Sequence, residues 1–185
     1  MRIPYLPNPP TTSTPEEADI LSRVQARRGP NGLLPLDRAL LHSFPVTDGW
    51  GSFMGAIRQR TSLTTVIREL VISRVSILNE AWSEWDVHSA ILAEGGFSDA
   101  ALQAARDVEV DVAAKVAEDV LSEAEGAVLK YADAMTKTVA VPDDVFQALK
   151  KHFNDREVVE ITATAAAYNC VSRVLVALDV GEQNH

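Results

Sequence analysis

Glu84 and His88 stand four residues apart within Glu80-Ala81-Trp82-Ser83-Glu84-Trp85-Asp86-Val87-His88. On a helix that spacing stacks both side chains on one face, within reach of a shared proton. A carboxylate beside an imidazole, flanked by Trp82 and Trp85, is an acid/base pair that needs neither a metal nor an organic cofactor. A half-buried imidazole next to a carboxylate titrates near neutral pH, where proton transfer is useful. The competing reading is a solvated helix salt bridge worth a few tenths of a kcal/mol. His42, in Leu40-Leu41-His42-Ser43-Phe44, is the second histidine in an apolar setting. It either caps helix-end carbonyls or converges with His88 as a second proton carrier. With Glu84, the two histidines would also make three metal ligands, although no His-x-x-x-His or Glu-x-x-His pattern supports a metal. His152 and His185 lie in polar terminal segments and read as solvated.

Other polar residues could complete a site. Arg68 is a candidate bidentate anchor for a substrate carboxylate. Glu69 and Arg74 could instead form buried structural pairs, and Arg173, on an apolar helix, calls for Glu69 or Glu160. Trp50, Trp82, Trp85 and Tyr168 are candidates for the wall of a substrate pocket, with core packing as the alternative.

These side chains must be held by helices. Alanine, valine and leucine dominate, and only nine glycines occur among 185 residues, a composition that favours helix. Residues 1–13 read as an irregular, Pro- and Thr-rich arm, and 14–185 as one helical domain. Thr14, Pro15 and Glu17 open a helix to about Arg27, and Gly29-Pro30-Asn31-Gly32 forms a turn. A short helix runs from Leu36 to Phe44 and ends at Pro45. Another opens at or just before Asp48 and carries Trp50, Phe53, Met54 and Ile57. Thr64 caps a helix that either continues to Ala93 or breaks near Asn79 and Glu80, with Gly95-Gly96 as its stop. Ser98 caps a helix to about Asp107, Ser122 and Glu125 form a capping box, Pro142 opens a helix and Asp155 caps the last one. No convincing strand appears, so the predicted class is all-α. The last helix is apolar over most of its surface, which places it centrally or at a subunit interface.

The bulk properties exclude several functions. A formal net charge of −9 argues against nucleic acid and anionic membranes as partners. No run approaches the ~18 consecutive apolar residues of a membrane span. The first residues lack a secretory apolar segment, and Cys170, the single cysteine, permits no internal disulfide. The expectation is a cytoplasmic protein acting on a small molecule.

Arg68-Glu69-Leu70 through Asn79, then Glu84-Trp85, His88 and Ala93-x-Gly95-Gly96-Phe97-Ser98, resembles the carboxymuconolactone decarboxylase family of the alkylhydroperoxidase D-like superfamily. Leu36 to Ser43, Gly49-Trp50, and Glu160 through Tyr168-Asn169 to Arg173 extend the likeness to about residues 32–180. The resemblance implies an all-helical fold built on a helical hairpin and assembled as a trimer or hexamer. It implies that His88 is the central acid/base residue and Glu84 its partner. In the redox branch a Cys-x-x-Cys-x-x-x-His motif reduces peroxides; its cysteine positions fall on Ala81 and Glu84, and neither supplies a thiolate. The expected activity is therefore a cofactor-independent lyase, a decarboxylase of a small oxygenated carboxylic acid or lactone. The same machinery would serve an isomerase, dehydratase or cyclase acting on a polyketide-like ring, and a non-catalytic ligand-binding homologue is the third possibility.

Overall fold

The computed structural model describes residues 1–182; His185 lies outside them. Ten α-helices follow one another among the described residues: α1 (Pro15–Arg28), α2 (Pro35–Leu40), α3 (Phe44–Gln59), α4 (Thr65–Leu78), α5 (Trp82–Glu94), α6 (Asp99–Arg106), α7 (Val112–Ala117), α8 (Glu123–Lys137), α9 (Asp143–Lys150) and α10 (Asp155–Leu178). No strand occurs among those residues, and the class is all-α.

The bundle is organised around α4. Thr64 caps it by accepting from the Ile67 amide, and nine consecutive residues from Glu69 to Ile77 are buried. A helix buried on all sides must have neighbours on all sides, and α4 packs against α5, α8 and α10. The helical run breaks after Leu78. Glu80 takes a positive φ of 56° and Ala81 is fully buried, so the chain reverses and α5 returns along α4 as the second arm of a hairpin. That hairpin brings Glu69 of α4 and His88 of α5 face to face.

Several helix ends differ from the expectations. Pro45 opens a helix instead of ending one: it occupies the first turn of α3, where its missing N–H costs nothing. The cap of α10 is Asn154, which accepts from the Glu157 amide while Glu157 accepts from the Asn154 amide. Asp155 is already helical. The short α7, capped by Asp111, carries too little apolar periodicity to be predicted from six residues.

Buried charge is settled locally. Arg74, fully buried, donates to both Asp133 oxygens (2.5 and 2.9 Å) and to the carbonyls of Ala105 and Asp107. It thus ties α4 to α8 and to the end of α6, and it does not pair with Glu69. Arg173 donates to Asn169 Oδ1 at 2.9 Å, and Glu160 accepts from Ser62 and Arg156, so neither expected Arg173 pairing forms. α10 has the length and hydropathy to cross a membrane, yet half of its most apolar window is buried inside the fold, as in the core helix of a bundle. Residues 1–14 contain no helix, but they are docked on this chain's own helices. Arg38 donates to the Leu6 carbonyl and lies over the Tyr5 ring, while the Arg2 amide donates to the Leu178 carbonyl.

Candidate active site

His88 is 7% exposed and sits between two carboxylates from different helices. Its Nδ1 hydrogen bonds Glu69 Oε2 at 2.6 Å, across the α4–α5 hairpin. Its Nε2 lies 3.3 Å from Glu84 Oε2, one turn earlier on α5. The second contact is an ion-pair distance without hydrogen-bond geometry, and Glu84 Oε2 is buried with no hydrogen-bond partner. Nε2 and Oε2 therefore both retain a polar valence. A buried carboxylate oxygen left this way is costly in a purely structural role.

The electrostatics follow from this arrangement. Burial disfavours a charged imidazole, but the hydrogen bond to Glu69 and the adjacent Glu84 carboxylate outweigh it, and His88 is held above its ordinary 6.5. Burial pushes the Glu69 carboxyl up, while the bond from His88 and the adjacent Arg68 guanidinium overcome that, and it ends below its ordinary 4.5. Both shifts favour the same state, a buried imidazolium against an ionised carboxylate. Arg68 Nε contacts Glu69 Oε1 at 3.1 Å.

A second layer completes the cluster. Tyr168 of α10, fully buried, meets the His88 ring edge-on with centroids 5.1 Å apart. Its hydroxyl accepts from Arg58 Nε at 2.8 Å, and the Arg58 guanidinium lies 5.6 Å from the Tyr168 ring centre. Burial raises the Tyr168 phenol far above its ordinary range, so it stays neutral at any physiological pH. Among the described residues, no three His, Cys, Asp or Glu side chains gather in an arrangement suited to a metal ion.

The structure brings together only part of the predicted set. Glu84, His88 and Tyr168 converge, and Arg68 joins through Glu69. His42 does not: it is exposed beyond α2, and its Nε2 contacts the Pro4 carbonyl at 2.8 Å, where it fastens the N-terminal arm. Its apolar neighbours reflect the small cluster of Ile20, Leu21, Val24, Leu33, Leu41 and Phe44 under α1, not the His88 site. Trp82 is 38% exposed at the start of α5 and forms no enclosed wall within one chain. Trp85 is buried, with the Arg106 guanidinium 5.9 Å from its ring centre. Trp50 lines a cleft between α1, α2 and α3. His152, read as solvated, reaches within 3.9 Å of Glu123 and lines a shallow groove on α7–α9.

Two residues of the cluster were assigned otherwise or passed over. Glu69 was read as a structural partner, because a carboxylate nineteen residues from a histidine carries no spacing signal until the hairpin is known. Arg58 was passed over because nothing in its neighbourhood of α3 distinguishes it from a solvated helix-end arginine. The cleft between α1, α2 and α3 touches this cluster through Arg58.

The family model described as the carboxymuconolactone decarboxylase family matches residues 45–133, which span α3 to α8 and include Arg58, Glu69, Glu84 and His88. Over that segment, just under half of the chain, the sequence matches the carboxymuconolactone decarboxylase family. Solved structures extend the likeness beyond the matched segment. A protein of unknown function from Agrobacterium tumefaciens is 26% identical, covers 75% of this chain and 90% of its own, and superposes with a TM-score of 0.64. An alkylhydroperoxidase AhpD core protein from Ralstonia eutropha, described as peroxidase-related, is 19% identical over 94% of this chain and 93% of its own, with a TM-score of 0.70. The debrominase Bmp8, in complex with 2,3,4-tribromopyrrole, is 17% identical over 96% of this chain and 92% of its own, also at 0.70. No curated protein matches the sequence. Cys170, on α10, is exposed.

Proposed function

We propose that this protein is a small-molecule enzyme that works by cofactor-independent proton transfer at His88, and that its reaction is the decarboxylation of a small oxygenated carboxylic acid or lactone. The observation that carries the reading is the buried imidazole clamped by Glu69 at Nδ1, with Nε2 and Glu84 Oε2 free of hydrogen bonds. A histidine serving only as a packing element would have both ring nitrogens satisfied.

In this reading the C–C bond to the substrate carboxylate breaks, CO₂ departs, and the electron pair passes into an enolate conjugated with a carbonyl. Imidazolium stabilises that developing charge as it forms. Nε2 then gives its proton to the carbanion, leaving neutral imidazole held in one tautomer by Glu69. Glu84 sits at Nε2 and relays a proton from solvent to restore imidazolium. Double-bond migration, dehydration or ring closure would use the same groups. That a fold relative is seen with a small halogenated ring is compatible with a compact cyclic substrate. We further propose a homo-oligomer, trimer or hexamer, since α10 leaves Val159 and Val176 exposed, and Phe53 and Val87 are also open.

The test is CO₂ release and solvent-deuterium incorporation across a panel of small β-keto and lactone carboxylic acids. His88→Ala should lower the rate by roughly two to four orders of magnitude with circular dichroism unchanged. A fall of less than about threefold in the folded protein would remove His88 from the chemistry.

A further inference from the structure

We propose that the cleft between α1, α2 and α3 is an anion-binding subsite, built from Arg27, Arg28 and Arg58, that takes a substrate carboxylate other than the one lost as CO₂. As an assignment of substrate contact it rests on the reading of His88 above; as a binding site it stands alone.

The cleft encloses about 160 Å³. Three guanidinium groups line it together with one carboxylate, Asp37, and the Trp50 ring. Asp37 is buried and fully used: it accepts from Arg28 Nε (2.7 Å), Arg28 Nη2 (2.9 Å), Arg27 Nη2 (3.3 Å) and the Leu34 amide (2.9 Å). Its role is to hold two arginines side by side. The third, Arg58, spends its Nε on the Tyr168 hydroxyl. Arg27 Nη1, Arg28 Nη1 and both Nη groups of Arg58 have no acceptor among the described residues. Three positive charges against one negative leave a surplus of two in a chain whose overall charge is −9. Like charges gathered in a concave site focus an attractive field on an anion, and planar guanidinium forks match a carboxylate bidentately.

Backbone and placement add two further observations. A Cβ built on Gly51 would lie 2.7 Å from Arg27 Nη1, so the bare glycine of α3 gives that guanidinium its place. Arg58 also bridges the cleft to the acid/base cluster, since its Nε donor, the Tyr168 ring and the His88 ring form one continuous contact chain. A carboxylate on Arg58 is thereby one aromatic ring away from the imidazole. Arg68, the anchor expected from sequence, contacts the Glu69 carboxylate instead.

Benzoate serves as the probe, titrated calorimetrically into the full chain, with inorganic phosphate as a parallel arm. Saturable benzoate binding with a Kd on the order of 1 mM or tighter is expected. Arg58→Gln should weaken it roughly tenfold or more, the loss of a charge-assisted contact. Gly51→Ala, which displaces only the flexible end of Arg27, should weaken it as well and decides the matter if Arg58→Gln fails to fold. Absence of benzoate binding, or unchanged affinity in the folded variants, overturns the proposal; phosphate binding without benzoate binding overturns its carboxylate assignment. His88→Gln separates the two readings. Retained benzoate affinity with lost turnover supports both, whereas retained affinity with unchanged turnover keeps the subsite and removes the acid/base role.

Discussion

Replacing Glu69 by glutamine tests the buried ion pair through stability, with no substrate required. The substitution keeps the shape of the side chain and removes the charge opposite His88. Two linked titrations set its pH dependence. His88 is raised from its ordinary 6.5, so its contribution is complete below pH 6.5 and fades as pH rises through the folded-state value. Glu69 is lowered from its ordinary 4.5, so its contribution is complete above pH 4.5 and fades as pH falls through its folded-state value. The pair is therefore at full strength near pH 5.5. Both side chains are almost entirely buried, and breaking such a pair costs about 3–5 kcal/mol. Above the folded-state value of His88, once the imidazole has lost its charge, an amide oxygen replaces a carboxylate as acceptor for a neutral N–H. That exchange costs roughly 1 kcal/mol. Glu69→Gln should thus lower stability by about 3 kcal/mol at pH 5.5 and by about 1 kcal/mol at a pH where His88 has lost its charge. Thermal unfolding at fixed protomer concentration would register the first as a fall of about 6–12 °C. Equal losses at the two pH values would refute the charged pair.

Three further outcomes follow from the same contacts. Asp133→Ala strands the Arg74 guanidinium, which is fully buried, and should cost about 3–5 kcal/mol in urea unfolding. His42→Ala should leave turnover within about twofold of wild type and lower stability by less than about 1 kcal/mol, because its ring holds only the Pro4 carbonyl. The proposed assembly predicts a trimer or larger species in sedimentation at micromolar protomer, and a sharp monomer peak would count against it.

Local signals carried much of the fold. Thr14, Thr64, Ser98 and Ser122 each accept a backbone amide as helix caps, as their positions before apolar periodic runs predict. Pro45 is ambiguous because proline both ends one helix and begins the next: α2 stops at Leu40 and α3 starts at Phe44, with Pro45 in its first turn. At the site, the i, i+4 rule found Glu84 and His88 because both lie on α5. The rule is silent on Glu69, which approaches His88 from the other arm of the hairpin, and on Arg58, which reaches the cluster through Tyr168, 110 positions away. His42 illustrates the reverse: an apolar neighbourhood signals burial of its neighbours, not of the imidazole itself.

The central claim is that His88 is held charged between two carboxylates in a buried site. Nitrogen-15 NMR of labelled histidine, titrated in the wild type and in His88→Gln to assign the signal, measures that directly. The account predicts that both His88 ring nitrogens remain protonated above pH 6.5, with the midpoint falling in Glu69→Gln. A His88 signal already neutral at pH 6.5, or unmoved by loss of Glu69, would contradict it.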